Sequence, residues 1–534
     1  MARHHELQGE LRRLPARSHL VEPDDKVQGR PGRHPGCGQL AGDTRAGGAR
    51  VEIPLARRSD AGAKATSMSV SGSMQTTTGQ RTMHWLGGAL LVSALWLAGS
   101  HARAEPQVSA FKLANGMDVV VIPDHRVPVV THMVWYRAGA ADDPWGTSGI
   151  AHFLEHLMFK STGKIKSGEF SRIITRLGGR DNATTTHDTT SYYQRVAKEH
   201  LRRVMELEAD RMVNLRLVEA EVLTERNVIL EERRSGVDAN PLSILSEQML
   251  AALYLNHPYH RPSLGWEHEM SALSLKDAQR FYRRFYAPNN AVLVVAGDVT
   301  PQEVRPLAQA TYGRNKSNPA ITPRVRAQEP PAIAARRVHL EDARAGAPLL
   351  LRYYRTPSYF SGRPGQAESI ELLSWIVGND DTSRLYRRLV AGNLASTAGT
   401  NFDGNALEGG RLACVIIPLP GITLERVESE LDAVIADVRQ NGVTQEELER
   451  AKSALEAQRV FESDNQTTLA NRYGQGVTLG RSIADIDAVS TRIQSRTLDD
   501  MKQAAGEFLN AQRSVTATLT PTEATGTVPV ATKQ

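Results

Sequence analysis

Residues 275–296 read LKDAQRFYRRFYAPNNAVLVVA, and residues 498–519 read LDDMKQAAGEFLNAQRSVTATL. In the first stretch a helical period over Leu275–Phe285 gives way to a polar turn and then to a β-branched run over Ala291–Ala296. The end of the chain repeats the order of helix, turn and strand. Shifted by 223 positions (498 − 275), the two stretches overlay without a gap, so that Leu275 falls on Leu498, Asp277 on Asp500, Phe285 on Phe508 and Val292 on Val515. A run of such matches in one structural context points to two diverged copies of a single unit, with two unrelated helix-to-strand junctions as the alternative. The expected fold class is α+β, with two homologous α/β-sandwich domains.

Upstream of the first stretch, Phe111–Leu113 and Met117–Ile122 flank Asn115-Gly116, a strong hairpin signal. Val127–Ala138 and Thr189–Val196 read as strands. Helices are expected over roughly Thr147–Phe159, Ser167–Leu177, His200–Asn214, Val218–Ser235 and Leu242–Leu255. Residues 105–315 form the first expected domain. Residues 316–335 (KSNPAITPRVRAQEPPAIAA) are Pro-rich and aperiodic, and read as a linker. Residues 336–525 then begin again with strands over Arg337–Glu341 and Leu349–Tyr354, continue through helices, and leave a tail at 526–534.

The front of the chain has a different character. Residues 1–82 are expected to be an upstream extension outside the fold, and 1–64 are rich in Arg, Gly, Pro and His. Arg81 and His84 precede the apolar run Trp85–Gly99, and Ala102-Arg103-Ala104 follows. These are the three parts of a signal peptide over 83–104, in a run too short for a comfortable membrane span. A retained anchor is the alternative. Initiation at Met68, Met74 or Met83 would place the signal at the start, with a mature chain beginning near Glu105 in the periplasm and no stable membrane insertion.

With 534 residues, 40% hydrophobic and 23% charged, the composition is that of a globular protein. The net charge of +5 is concentrated at the front, without an aromatic-interleaved basic patch, so no nucleic-acid partner is expected. Two cysteines, Cys37 and Cys414, exclude a disulfide framework and a Cys-rich zinc knuckle. A metal site would have to use His and carboxylates.

Such a set is present. His152-Phe153-Leu154-Glu155-His156 lies within an expected helix, where histidines at i and i+4 share a face and can share an ion. Neutral imidazoles suit zinc, and two of them leave room for a third ligand and a water. Glu155, beside His156, can take a proton from that water. The order is HxxEH, the inverse of HExxH. Against it stands the reading of two surface histidines on an amphipathic helix. A second signal comes from the helix Val218–Ser235, where Glu225 and Glu232 are two turns apart on one face, with Val228, Ile229 and Leu230 between them expected to pack inward. Two carboxylates on a partly buried face need a cation or a proton. Glu231, Arg226, Arg233 and Arg234 read as a solvated face.

HFLEH followed after 76 residues (232 − 156) by the last Glu of ERNVILEE resembles the pitrilysin/insulinase family of inverzincins, which includes insulin-degrading enzyme and the mitochondrial processing peptidase β-subunit. The resemblance covers nearly all of residues 107–521. It includes Trp135-Tyr136-Arg137-Ala138-Gly139-Ala140, Gly178-Gly179 with Asn182-Ala183-Thr184, Pro258-Tyr259 with Gly265-Trp266, and Phe285–Ala291 leading into Val294–Asp298. It implies a short, two-domain member forming half of a clamshell, a zinc metallopeptidase with one Zn²⁺ per chain. It implies His152, His156 and Glu232 as metal ligands, Glu155 as catalytic base and Glu225 as a carboxylate supporting the metal site. It further implies that the strand at Asn182, Ala183 and Thr184 binds peptide substrate by main-chain pairing. His187 and Asp188 nearby read as ordinary turn residues.

One departure stands out. The family supplies an Arg and a Tyr, seven residues apart, from a second half or second subunit. The matching stretch here, Ser383–Thr397, holds Val390 and Thr397 at those positions, and the adjacent pair Arg472-Tyr473 has the wrong spacing. The resemblance therefore implies a paralogous zinc-free partner in a heterodimer, with a homodimer as the alternative. A catalytically silent structural or peptide-binding subunit is the rival function. Retention of HxxEH and Glu232 argues against it.

Overall fold

The computed structural model describes residues 107–522. The expected extension, the signal peptide, the tail at 526–534 and Cys37 lie outside the described residues. Among the described residues, no helix is long and apolar enough to cross a membrane.

The first sheet contains β1 (Ser109–Lys112), β2 (Asp118–Pro123), β3 (Val129–Tyr136), β4 (Arg180–Thr185), β5 (Thr190–Ala197) and β6 (Ala291–Gly297). Its spatial order is β1-β2-β6-β3-β5-β4, with β2–β6 the parallel pair. The second contains β7 (Arg336–Glu341), β8 (Leu349–Thr356), β9 (Ala395–Asp403), β10 (Gly410–Pro418) and β11 (Ser514–Thr520), in the order β7-β11-β8-β10-β9 with β7–β11 parallel. Apart from β1 the two plans are the same.

The longer helices of the first half are α1 (Ile150–Leu157), α2 (Glu169–Arg176), α3 (Leu201–Asn214), α4 (Glu219–Arg233), α5 (Pro241–Leu253), α6 (Leu275–Phe285) and α7 (Pro301–Ala310). Those of the second are α8 (Gln366–Gly378), α9 (Leu424–Asn441), α10 (Gln445–Ser463), α11 (Gln466–Thr478), α12 (Ile483–Gln494) and α13 (Leu498–Phe508). The 223-residue shift carries α6 onto α13 and β6 onto β11 end for end. The repeat seen in the sequence is thus a repeat in space.

Each sheet buries both faces, and the two halves exchange covers to do so. On one face of the first sheet, Val119, Val121, Val130, Val134 and Val295 pack on that half's own helices. On the other, Val120, Met133, Trp135, Val292 and Val294 pack against Leu469, Ala470, Tyr473 and Ile486, from α11 and α12 of the second half. Reciprocally, Leu349, Leu351, Val515 and Ala517 of the second sheet pack against Leu245, Met249 and Leu253 of α5. Double burial explains why β6 is apolar throughout, rather than alternating. At Gly474 in α11, an added Cβ would come within 2.3 Å of the Trp135 indole nitrogen, so the helix lies on the sheet at a distance only glycine allows.

The linker has no helix or strand over 316–335, yet it is tied down. The buried Arg326 guanidinium pairs with Asp142 at 3.0 Å and with Asp188, and Arg324 reaches Asp142 at 3.3 Å. The Glu329 carboxylate accepts the backbone N–H groups of Leu255, Asn256 and His257. It is a strap rather than a loose connection.

Candidate metal centre

Helix α1 is short, and most of its surface is buried. Ile150, Ala151, Phe153, Leu154 and Leu157 are inside the first core, which leaves His152, Glu155 and His156 on the remaining face. Its start is held by the Asp143 carboxylate, which accepts the N–H of Gly149 at 2.7 Å and of Ala151 at 3.1 Å. Gly149 and Gly265 allow the loop carrying Trp266 to touch this start. A Cβ on Gly149 would lie 2.3 Å from the Leu264 carbonyl oxygen, and one on Gly265 would lie 2.5 Å from that of Ser148. The Gly265-Trp266 signature therefore braces α1.

Helix α4 crosses α1 and presents Glu225 and Glu232 to it. The Glu232 carboxylate lies 3.3 Å from His156 Nε2 and 3.6 Å from His152 Nε2. One donor atom from each of the three residues falls within 4.8 Å of the others. Ligands at about 2.0–2.1 Å from a tetrahedral zinc stand about 3.3 Å apart, so the spacing fits the ion. The Glu225 carboxylate accepts the His156 Nδ1 proton at 2.9 Å, which turns the Nε2 lone pair towards Glu232. The donor set and its support suit a zinc ion.

The electrostatics agree. Burial, with the neighbouring His156, lowers His152 to about 4 and so keeps it neutral. Burial opposes protonation of His156, but hydrogen bonds to Glu225 and Glu232 outweigh it and raise the imidazole to about 9. Without a metal, a proton on His156 supplies the positive charge that the two carboxylates need; a cation can take its place. Burial pushes the Glu155 carboxyl up to about 7, against a hydrogen bond from Thr185.

The peptide-binding residues expected from the sequence lie beside this centre. Asn182, Ala183 and Thr184 are on β4, the outermost strand of the first sheet, which pairs only with β5 and packs against α1. The Thr185 hydroxyl, at the end of β4, donates to Glu155 Oε2 at 2.5 Å. Sequence reasoning did not single out Thr185, since nothing in the spacing links a strand threonine to a helix glutamate.

Several expectations need correction. Val228 is 46% exposed; of the three, Ile229 is fully buried and Leu230 partly so. The geometry is one face per turn, so three consecutive residues cannot all point inward. Arg233 is buried rather than solvated. Its guanidinium meets Glu247 of α5 at 2.8 Å and the Gly265 carbonyl at 2.9 Å, which anchors the end of α4 next to Glu232. Arg226 donates to the Leu273 carbonyl at 3.1 Å and Arg234 pairs with Glu231. His187 and Asp188 are not ordinary turn residues. His187 Nε2 lies 2.9 Å from the Arg261 carbonyl oxygen. The buried Asp188 carboxylate accepts the Tyr259 hydroxyl, the Leu407 N–H of the second half and the Arg326 guanidinium of the strap.

The second half contains a degenerate counterpart. Helix α8 packs against β9, α10 and α13 as α1 packs against β4, α4 and α6. Ala151-His-Phe-Leu-Glu-His-Leu157 there becomes Ala367-Glu-Ser-Ile-Glu-Leu-Leu373, with Glu371 in the place of Glu155 and no histidine. Glu371 accepts the Tyr359 hydroxyl and pairs at 3.3 Å with Arg459 of α10, so a guanidinium supplies the positive charge. Val390 ends a π-turn, and Thr397 lies on the edge strand β9. Arg384 and Arg388, in the same stretch, are paired with Glu447 and Glu430. Arg472 pairs with Glu462, and the Tyr473 hydroxyl donates to Asp487.

Comparison with known proteins accords with this division. The sequence pattern described as Insulinase (Peptidase family M16) matches residues 118–266, and that described as Peptidase M16 inactive domain matches residues 272–455. The zinc protease PqqE of Helicobacter pylori is 28% identical over 435 residues, 79% of this chain and 95% of that protein. The crystal structure of a protease from Helicobacter pylori superposes with a TM-score of 0.73 at 28% identity, covering 78% of this chain and 100% of that one. The fold of the periplasmic protease PqqL from Escherichia coli matches with a TM-score of 0.66 at 20% identity, 78% of this chain covering 48% of that one. The chain belongs to peptidase family M16, the pitrilysin/insulinase family of zinc metallopeptidases, and is built as one half of that clamshell.

Proposed function

We propose that this chain is a zinc-dependent endopeptidase acting on peptides or small unfolded polypeptides in the periplasm. The observation that carries the reading is the convergence of His152, His156 and Glu232 donor atoms within 4.8 Å, beside an open sheet edge. These three residues would hold one zinc ion per chain. Zinc held there would supply Lewis-acid chemistry, polarising a scissile carbonyl and lowering the pKa of a water towards neutrality. Glu155 takes the water's proton and later delivers it to the leaving amine. A carboxyl pushed to about 7 suits a group that must both accept and release a proton near neutrality. The Thr185 hydroxyl aims Glu155, and Glu225 fixes the tautomer of His156. An extended peptide adds to β4 at Asn182, Ala183 and Thr184 through main-chain hydrogen bonds. The name of the PqqE relative supports zinc and proteolysis, and the signal-like residues 83–104 support export.

At the two positions where the resemblance places oxyanion donors, this chain has neither Arg nor Tyr. Val390 cannot donate a hydrogen bond, and Thr397 offers only a hydroxyl. A paralogous zinc-free subunit supplying Arg and Tyr completes the site. The match to about half of a longer protease favours such a second half.

Metal analysis and peptide turnover test the reading, with the chain alone and with its candidate partner. One zinc per chain, removed by chelation and restored by Zn²⁺, is expected. Glu232→Gln should lose metal. Glu155→Gln should keep metal and lose turnover by orders of magnitude, and near-normal hydrolysis by that variant would sink the mechanism. Full activity of the isolated chain, unchanged by the partner, would refute the split site and leave the zinc site standing. Metal without hydrolysis in any combination would identify a peptide-binding subunit instead.

A further inference from the structure

Lys160 has no role in the reading above. It follows α1 by three residues, and its N–H donates to the Leu157 carbonyl at 3.0 Å. The next two residues are pinned to the loop between α3 and α4: the Arg216 N–H donates to the Ser161 carbonyl at 2.8 Å, and Thr162 bridges Leu215. This places the Lys160 side chain, about one-fifth exposed, under α4. Its ammonium makes its one ion pair among the described residues, with Glu225 Oε2. The other oxygen of that carboxylate, Oε1, accepts His156 Nδ1–H at 2.9 Å. Each Glu225 oxygen thus has one partner, and the two partners together leave a single orientation of the carboxylate.

We infer that Lys160 is a positioning residue for the metal centre, holding Glu225 in the orientation that directs His156 Nε2 at the ion. The inference rests on the zinc reading and extends it by one residue outward. Charge favours the same assignment. Glu155, Glu225 and Glu232 bring three negative charges into a largely buried site with two neutral imidazoles. A divalent ion and one ammonium balance them; without the ammonium the site carries an uncompensated charge. A carboxylate freed of Lys160 can also rotate away from His156, which lets the imidazole turn and take the other tautomer.

Zinc affinity of the full chain, measured by competition with a chelator, tests this apart from activity. Lys160→Met should bind zinc about tenfold more weakly, in the range seen for residues that orient a metal-ligating histidine. Lys160→Arg should stay within about threefold of wild type, since it keeps the charge and the pairing. In a Glu225→Gln background, Lys160→Met should have no further effect, because its route runs through Glu225. If Lys160→Met folds poorly, as judged by metal-free thermal unfolding, Lys160→Gln takes its place. Unchanged zinc affinity in the variant would overturn the inference and leave the ligand assignment intact. Equal losses with and without Glu225 would show that Lys160 acts by another route and overturn it as well. A wild-type chain that binds no zinc would overturn the ligand assignment and this inference together.

Discussion

At the scale of single residues, the centre depends on contacts that no motif encodes. HxxEH names the helix face, but the direction of the Glu155 carboxylate comes from a threonine on another element. The Thr185 hydroxyl donates to Oε2 of that carboxylate, inside a site where a hydrogen bond to a charged group is worth about 1.5 kcal/mol or more. Thr185→Val keeps the shape and removes the donor. We expect kcat to fall about tenfold, the equivalent of about 1.4 kcal/mol, with zinc content unchanged. Steady-state kinetics beside metal analysis checks this. Wild-type kcat in the variant would show that Glu155 is held by other groups.

At the scale of elements, β4 is an edge with one neighbour, and α1 lies against it. Side chains alternate along it, with Asn182 and Thr184 outward and Ala183 half-buried against the core. A peptide that adds to this strand uses its own amides at every second residue. Substrates carrying one N-methylated amide each should therefore lose turnover with a period of two along the peptide. A loss that decays smoothly from the scissile bond, with no alternation, would count against strand addition. The far end of α4 matters for the same reason of placement. The pair of Arg233 with Glu247 sets where Glu232 stands, although neither residue is among the proposed ligands.

For the whole molecule, the notable feature is the clasp. Each sheet is covered by helices from the other half, and the strap joins both, its Arg326 pairing with Asp142 and Asp188 of the first half and with Glu408 of the second at 3.4 Å. Burial alone would raise the Asp188 carboxyl. The Arg326 guanidinium, the Leu407 N–H and the Tyr259 hydroxyl more than offset this and hold it below its ordinary value of 3.8. A carboxylate depressed in the folded state contributes stability that is complete above its unfolded pKa and is lost as pH falls through the folded one. Asp188→Asn should thus lower stability at pH 7 by about 3 kcal/mol, the scale of breaking a buried pair. The difference from wild type should narrow as pH falls below 3.8. Thermal unfolding of both proteins at pH 7 and in acid measures it, and a gap that widens in acid would contradict the assignment. Because Asp188 sits in the turn that follows β4, the clasp also bears on the substrate edge.

Local chemistry wrote much of this into the chain. The two copies, the helix and strand of each, the hairpin at Asn115-Gly116 and the HxxEH face all depend on periodicities and spacings within a few turns of backbone, and these survive in one dimension. The pairing of Glu225 and Glu232 was legible for the same reason, since two turns of helix put them on one side. The choice of Glu232 over its neighbours as the third ligand came from resemblance, and only the crossing of α4 over α1 brings it to 3.3 Å from His156. The exchange of covering helices, the burial of Arg233, the hub at Asp188 and the contacts of Thr185 and Lys160 were decided by tertiary structure alone. Each joins residues far apart in the chain, and a charged or hydroxyl side chain looks the same in sequence whether it meets water or a buried partner. What distinguishes the two is the packing around it, which exists only once the sheets and helices have come together.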